Sequence, residues 1–332
     1  MKIAFFEIKD WQEEYIRERI KGHELYFTEE KLTEKNASEF KDYDVVSVFI
    51  YSKVSKEVIG KLENLKFVTT RSTGFDHIDL EVCKEKNVSV SNVPFYGENT
   101  VAEHTMALIL SLSRNLQTSF DKVHRGDFSL EGIRGFDLKG RTLGVIGTGH
   151  IGLHVVRMAK GFEMDIIAFD INKDKEKAEE LGFEYVEFDT LLQESDIVTL
   201  HAPLNEHTKH MINKDNINDM KKGSYIVNTS RGGLVETEAL IKGLQDGTIA
   251  GAALDVLEEE KFIDEEIELL SHLSAEKQKN MLQNHILLRM PNVIITPHNA
   301  FNSQEALERI LNTTIENIKT YIKGKPIHTL YA

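Results

Sequence analysis

The 332-residue chain has one cysteine, Cys83. A single thiol makes no intrachain disulfide and no paired-cysteine zinc site, so no metal is expected. Cys83 lies in Leu80-Glu-Val-Cys-Lys-Glu85, a helical pattern, and reads as a buried structural thiol. Positive charge is scarce as well: 40 Lys and Arg stand against 54 Asp and Glu, for a formal net charge of −14. A nucleic-acid binder needs a basic footprint, and an anionic membrane attracts cations, so neither is an expected partner. No apolar run is long enough to span a bilayer, and Met1-Lys-Ile-Ala-Phe-Phe-Glu7 lacks the pattern of a secretion signal. A soluble cytoplasmic protein is the expectation. Low-complexity linkers and short solenoid repeats are absent too.

What is present is enough apolar sequence, 41% against 28% charged, to build two cores of ordinary size. The most informative stretch is Leu143-Gly-Val-Ile-Gly147-Thr-Gly149-His150-Ile151-Gly152. A short apolar run feeds straight into G-x-G-x-x-G. A second apolar run, Ile166-Ile-Ala-Phe169, ends in Asp170. That is the order of a dinucleotide-binding β-α-β unit. Gly147 permits the turn out of the strand, Gly149 lets backbone approach a pyrophosphate, and Gly152 lets the helix pack on the sheet. The helix start at His150 and Ile151 offers N–H groups to phosphate. A carboxylate at 170 suits the ribose hydroxyls of NAD and repels the 2′-phosphate of NADP, so NAD is the expected cofactor.

Strand and helix patterns alternate along the chain. Strands are expected at Lys2–Glu7, Glu24–Thr28, Val45–Tyr51, Lys66–Arg71 and Val88–Asn92. A second set is expected at Leu143–Ile146, Asp165–Phe169, Ile197–Leu200, Ser224–Asn228, Gly251–Leu254 and Val293–Thr296. An amphipathic helix is expected from about Val101 to Leu116, opened by a capping box at Thr100 and Glu103, and a last helix from Ser303 to about Lys323. Lys261–Met290 breaks the alternation and reads as one or two helices. The class is α/β, with two parallel-sheet domains.

Three polar residues fall just beyond expected strands of the second set: Arg231, Glu260 and His298. Ligands in open α/β sheets bind outside the carboxyl ends of strands. Reduction of a carbonyl by hydride needs a proton donor, and histidine suits neutral pH. A carboxylate beside it favours imidazolium, and an arginine can polarise a carbonyl and clamp a carboxylate. Each residue alone has a bland reading: a structural histidine, a solvated acid, a loop salt bridge.

The chain resembles the D-isomer-specific 2-hydroxyacid dehydrogenases, and within them the D-lactate-oxidising type. The stretches that carry the resemblance are Arg71-Ser-Thr-Gly-Phe-Asp-His-Ile-Asp79, Asn92–His104, Gly147–Gly152, His201-Ala-Pro-Leu204, Asn228-Thr-Ser-Arg-Gly-Gly233, Gly251–Glu260 and Thr296-Pro-His298. They run in order through nearly the whole chain. The resemblance implies a flavodoxin-like substrate domain of residues 1–99 plus 299–332 and a Rossmann NAD-binding domain of residues 100–298, with the reaction between them. It implies that Arg231 binds and polarises the substrate, that His298 is the acid–base group and that Glu260 is its partner. Backbone N–H groups of Thr73 and Gly74 resemble the loop that holds the substrate carboxylate. Tyr51 and Tyr96 resemble aromatic residues that close the pocket, with core packing as the bland alternative. Asp255 resembles the acceptor for the nicotinamide carboxamide. His201, Pro203 and Thr229 would line the cofactor, and Val101 would lie on the nicotinamide ring. The family is commonly homodimeric through the cofactor domain, with Val101–Leu116 as a plausible contact.

Asn299-Ala-Phe301-Asn302 departs from the lactate-type pattern, which has a further aromatic residue there, and Thr73 stands where Val or Ala is common. The expected activity is NAD-dependent reduction of a small 2-keto acid, best pyruvate, to the D-2-hydroxy acid. A dehydrogenase for a larger 2-keto acid and an NAD-sensing corepressor-like binding protein are the alternatives.

Overall fold

A computed structural model describes residues 1–258 and 275–331. The chain divides into two compact units, Met1–Tyr96 with Asn302–Ala332, and Gly97–Phe301. Each is a parallel α/β sheet, as expected.

The first unit contains β1 (Lys2–Phe5), α1 (Asp10–Arg19), β2 (Glu24–Phe27), β3 (Val45–Val48), α2 (Lys56–Lys61), β4 (Phe67–Thr70), α3 (Leu80–Glu85) and β5 (Ser89–Ser91). The strand order is β2-β1-β3-β4-β5, the flavodoxin-like order, with its switch point between β1 and β3. Val45–Val48 and Phe67–Thr70 are buried throughout, as befits central strands covered on both faces. The C-terminal helix of this unit packs Leu311, Ile315 and Ile318 against Ile3, Phe5 and Phe67. Burying side chains of this size contributes roughly 1.5–3 kcal/mol each. Tyr321 from the same helix stacks on Phe67, with ring centroids 4.3 Å apart. Cys83 is fully buried in α3, and burial pushes its thiol pKa up to about 12, which makes it inert as read from the sequence.

The second unit contains α4 (Glu98–Ser113), α5 (Leu116–His124), β6 (Thr142–Ile146), α6 (His150–Gly161), β7 (Asp165–Phe169), α7 (Lys175–Leu181), β8 (Glu184–Tyr185), α8 (Phe188–Glu194) and β9 (Ile197–Leu200). β10 (Ser224–Asn228), α9 (Thr237–Asp246), β11 (Ile249–Leu254), α10 (Ala275–Leu287) and β12 (Val293–Ile295) follow; the C-terminal helix is α11 (Gln304–Ile322). The order β12-β11-β10-β9-β6-β7-β8 places the switch point between β6 and β9. One face of the sheet is covered by Met106, Ile109, Val155 and Ala159 of α4 and α6, the other by Leu191, Leu192, Leu240 and Leu244 of α8 and α9. No helix among the described residues is long and apolar enough to cross a membrane.

Two expectations need correction. The first long helix begins at Glu98 with Gly97 as its N-cap, so Thr100 is a buried residue inside the first turn rather than half of a capping box. It also stops at Ser113: Asn115 takes a left-handed conformation, φ 49°, and Leu116 starts a separate helix. Of the segment 261–290, residues 275–287 are helical; 261–274 lie outside the described residues.

Candidate active site

The glycine turn is built as its sequence demands. Gly147 follows β6 with φ +91°, and a Cβ there would lie 2.8 Å from the backbone of His201 and Ala202 at the end of β9. A Cβ on Gly152 would lie 2.0 Å from the Gly147 carbonyl oxygen, so α6 can approach the turn only without one. Gly149 is the N-cap of α6. No side chain caps that end, and a Cβ on Gly149 would meet nothing within 4 Å. The helix start therefore faces open space with its N–H groups uncovered by a capping side chain, the arrangement that suits an anion.

Asp170 follows β7. Its Oδ2 accepts from the N–H of Thr148 (2.7 Å) and the Thr148 hydroxyl (3.1 Å); its Oδ1 accepts from the N–H of Asn172 (2.8 Å). The carboxylate is both a turn residue and a group held over the glycine loop. About four acceptor sites on a carboxylate leave capacity for a ribose hydroxyl.

The adjacent strands β10, β11 and β12 end in Arg231, Asp255 and His298. Arg231 is set by Asn228, whose side chain donates to the Arg231 carbonyl (2.9 Å) and accepts from the Ser230 N–H (3.0 Å). Its neighbour Gly232 abuts the backbone of Leu257 and Glu258, where a Cβ would come within 2.1 Å. His298 has φ +50° and donates its N–H to the Asp255 carbonyl (2.9 Å). The Asp255 side chain clamps the same loop. It accepts from the Thr296 hydroxyl (2.5 Å) and from the N–H groups of Asn299 (3.0 Å) and Ala300 (2.9 Å), with His104 Nε2 at 3.5 Å. Burial raises its pKa, but these donors outweigh burial and hold it below the ordinary carboxylate value. Asp255, the expected acceptor for the nicotinamide carboxamide, has a fully buried carboxylate that fixes the loop carrying His298.

His201, after β9, pairs with the Thr199 hydroxyl at 2.9 Å, and desolvation pulls its pKa down to about 3. It is a neutral imidazole at neutral pH and cannot be the proton donor there. Pro203 is exposed and its carbonyl accepts from Thr208 (2.6 Å). Thr229 and Val101 are buried, and the Thr229 hydroxyl bonds that of Thr105 at 2.8 Å. Glu260 lies outside the described residues. Just before it, Glu258 accepts from Thr237 (N–H 3.0 Å, hydroxyl 2.6 Å) and pairs with His210 at 2.6 Å.

In the first unit, Tyr51 follows β3 and Thr73–Gly74 follow β4, the strand beside it; Tyr96 lies beyond β5. Three carbonyls of the β4 loop are tied back: Ser72 by the Val93 N–H (3.1 Å), Thr73 by the Asn92 side chain (2.8 Å) and Gly74 by the Ser72 hydroxyl (2.6 Å). Among the described residues, the N–H groups of Thr73 and Gly74 donate to nothing. Carbonyls turned away and amides turned out make a concavity for an anion. Tyr51 is 47% exposed, which excludes core packing for it. Tyr96 is partly buried, and its carbonyl accepts from Arg309 at 2.6 Å.

Residues 106–300 match the family model for the D-isomer specific 2-hydroxyacid dehydrogenase NAD binding domain. The chain belongs to this family. It is 36% identical over 332 residues to a D-lactate dehydrogenase of Escherichia coli, covering 98% of both chains. It is 37% identical over 323 residues to an aromatic 2-oxoacid reductase of Clostridium sporogenes, covering 95% of this chain and 92% of that one. The solved D-lactate dehydrogenase of Aquifex aeolicus, complexed with NAD and lactic acid, superposes with a TM-score of 0.87 at 37% identity, covering 97% and 96% of the two chains. As a member of this dehydrogenase family the chain is an oxidoreductase with NAD as its cofactor, and the uncapped start of α6 and the fixed Asp170 fit that cofactor.

The sequence did not show that His104 and Thr296 hold Asp255 or that Thr105 holds Thr229. His104 is 151 residues from Asp255 along the chain, so only the fold reveals the pairing.

Proposed function

We propose that this chain reduces pyruvate, or a 2-keto acid of similar size, to the D-2-hydroxy acid. The observation that carries the reading is that Arg231 and His298 sit at the carboxyl ends of two strands flanking β11 in an NAD-binding sheet of this family. The first unit acts as the substrate domain and the second as the cofactor domain. Thr73 and Gly74 take the substrate carboxylate through their N–H groups. Arg231 binds the substrate and polarises the keto oxygen. The glycine turn and Asp170 would hold NADH, which would supply the hydride for C2. His298 donates its proton to the oxygen in the same step, with Glu260 favouring the imidazolium form beforehand. His201 stays neutral throughout and lines the cofactor with Pro203 and Thr229.

Tyr51 narrows the pocket around a short side chain, which favours pyruvate. The second reading is a larger 2-keto acid, and it rests on Asn302, which replaces an aromatic residue. NADH oxidation measured with pyruvate, 2-ketoisocaproate and phenylpyruvate separates the two. Pyruvate is expected to give the highest kcat/KM, and Tyr51→Ala to move the preference toward phenylpyruvate. A wild-type preference for phenylpyruvate establishes the second reading.

We further take the working form to be a homodimer. The helix expected to supply the contact, α4, is largely buried in its own unit. The next helix is the better candidate: Leu116, Phe120 and Val123 of α5 are 52%, 62% and 47% exposed in one i, i+4, i+7 row. Phe120→Glu is expected to shift the sedimentation coefficient to that of a monomer; an unshifted dimer would place the interface elsewhere.

A further inference from the structure

Glu7 and Arg71 have no part in the chemistry above, yet both are committed to the two loops that carry it. Glu7 follows β1 in the left-handed region, φ +55°. One carboxylate oxygen accepts from the N–H groups of Phe49 (3.0 Å) and Ser52 (3.2 Å) and from the Ser52 hydroxyl; the other accepts from the N–H of Tyr51 (2.9 Å). The whole 49–52 loop is thus gathered on one side chain. Arg71 opens the Thr73–Gly74 loop and is buried. Its guanidinium donates to the Ser47 hydroxyl (2.9 Å) and to the carbonyls of Phe6 (2.5 Å) and Glu7 (2.9 Å). Burial lowers its pKa to about 10, opposed by the charge of Glu7, which leaves it a cation at neutral pH.

The bland account is that a buried arginine simply finds acceptors. It does not explain the choice of partners. Among the described residues, the side-chain hydrogen bonds of the pair run between the carboxyl ends of β1, β3 and β4, around the switch point of this sheet. They join the loop bearing Tyr51 to the loop bearing the Thr73 and Gly74 amides.

We propose that Glu7, braced by Arg71, is a positioning residue that sets Tyr51 relative to the Thr73–Gly74 amides and so fixes the size of substrate admitted. This rests on the function proposed above. Glu7→Gln is the sharp variant. The new amide keeps one acceptor oxygen for Phe49 and Ser52 but turns a donor toward the Tyr51 N–H, so it releases Tyr51 selectively.

The test combines amide hydrogen exchange across residues 49–52 with steady-state kinetics of the full chain. In Glu7→Gln, exchange at Tyr51 should accelerate. Loss of one charge-assisted bond should raise KM for pyruvate about tenfold. kcat and the Kd for NADH should stay within about twofold, since a ground-state contact away from NADH is lost. The ratio of kcat/KM for phenylpyruvate over pyruvate should rise, and this change should vanish in a Tyr51→Ala background. Ser47→Ala, a milder cut that removes one acceptor from Arg71, should move the same quantities less.

Unchanged exchange in Glu7→Gln overturns the anchor. Faster exchange with unchanged KM and ratio overturns its role in substrate size. A wild-type chain inert on both keto acids overturns the function proposed above, and with it the link between anchor and substrate, while exchange still reports the anchor itself.

Discussion

At the carboxyl end of β6, the glycine turn proposed to hold the cofactor phosphates comes from six consecutive residues, Gly147–Gly152. At the carboxyl ends of β3 and β4, the loops proposed to hold the substrate are assembled from residues far apart: Glu7 reaches 45 positions to Ser52, Arg71 reaches 65 to Phe6, and Asn92 reaches back 19 to Thr73. Both regions offer backbone N–H groups to an anion. In the second unit a glycine turn and a helix start do this locally. In the first unit buried polar side chains must hold ordinary loop residues in place. Local architecture writes itself into a motif, and assembled architecture does not.

The contrast can be broken or sharpened by substitution, beginning with the largest effect. Removing the proposed clamp with Arg231→Ala should lower kcat/KM for pyruvate by about 10²–10³, the cost of deleting one partner of a desolvated charge pair. NADH affinity, measured by fluorescence titration, should be unchanged. Next come the glycines. Gly149→Ala should weaken NADH binding by about tenfold, a steric cost of order 1.4 kcal/mol, at an unchanged Tm, because its Cβ meets only open space until the cofactor arrives. Gly152→Ala should lower Tm as well, since its Cβ would overlap the Gly147 carbonyl. Equal Tm for the two variants would contradict the local account.

In the first unit, Asn92→Ala frees the Thr73 carbonyl. Losing one hydrogen bond of about 1 kcal/mol should raise KM for pyruvate by roughly fivefold and leave NADH affinity alone. An effect confined to NADH would reverse the assignment of the two anion sites.

A separate effect is on the pH dependence of stability. His201 is neutral when folded, with a pKa of about 3, and binds a proton near pH 6.5 when unfolded. The unfolded chain therefore takes up the extra proton between these values, so stability falls as pH drops from about 6.5 toward 3, by up to about 1.4 kcal/mol per pH unit. Asp255 has the opposite chemistry and a lower window: its stabilisation is present above the unfolded carboxylate value and is lost only as pH falls through its lowered folded value. Denaturant melts of His201→Gln should show a shallower slope between pH 6 and 4 than wild type; identical slopes would contradict the burial of His201.

The succession of strands, the glycine turn and the place of Asp170, Arg231 and His298 just beyond strands were legible because periodicity and short motifs encode them. The two-residue strand β8 and the short helices α5, α7 and α8 fell below the length at which periodicity speaks. Thr100 and Glu103 resembled a cap because their spacing fits one, but burial of Thr100 placed it a turn inside the helix. The bonds that hold Asp255 were not legible, because its neighbours in space, His104 and Thr296, lie 151 and 41 residues away along the chain. Glu7 gave no signal, and Arg71 appeared only as the first residue of a family stretch, since their pairing gains meaning only from the loops they hold.

The most direct measurement is turnover of pyruvate with NADH, with the chirality of the product determined, for wild type beside His298→Gln. The account predicts D-lactate from the wild type and, for the variant, a kcat lower by about 10²–10⁴ with NADH bound as tightly. L-lactate, no lactate, or an undiminished kcat in His298→Gln would contradict it.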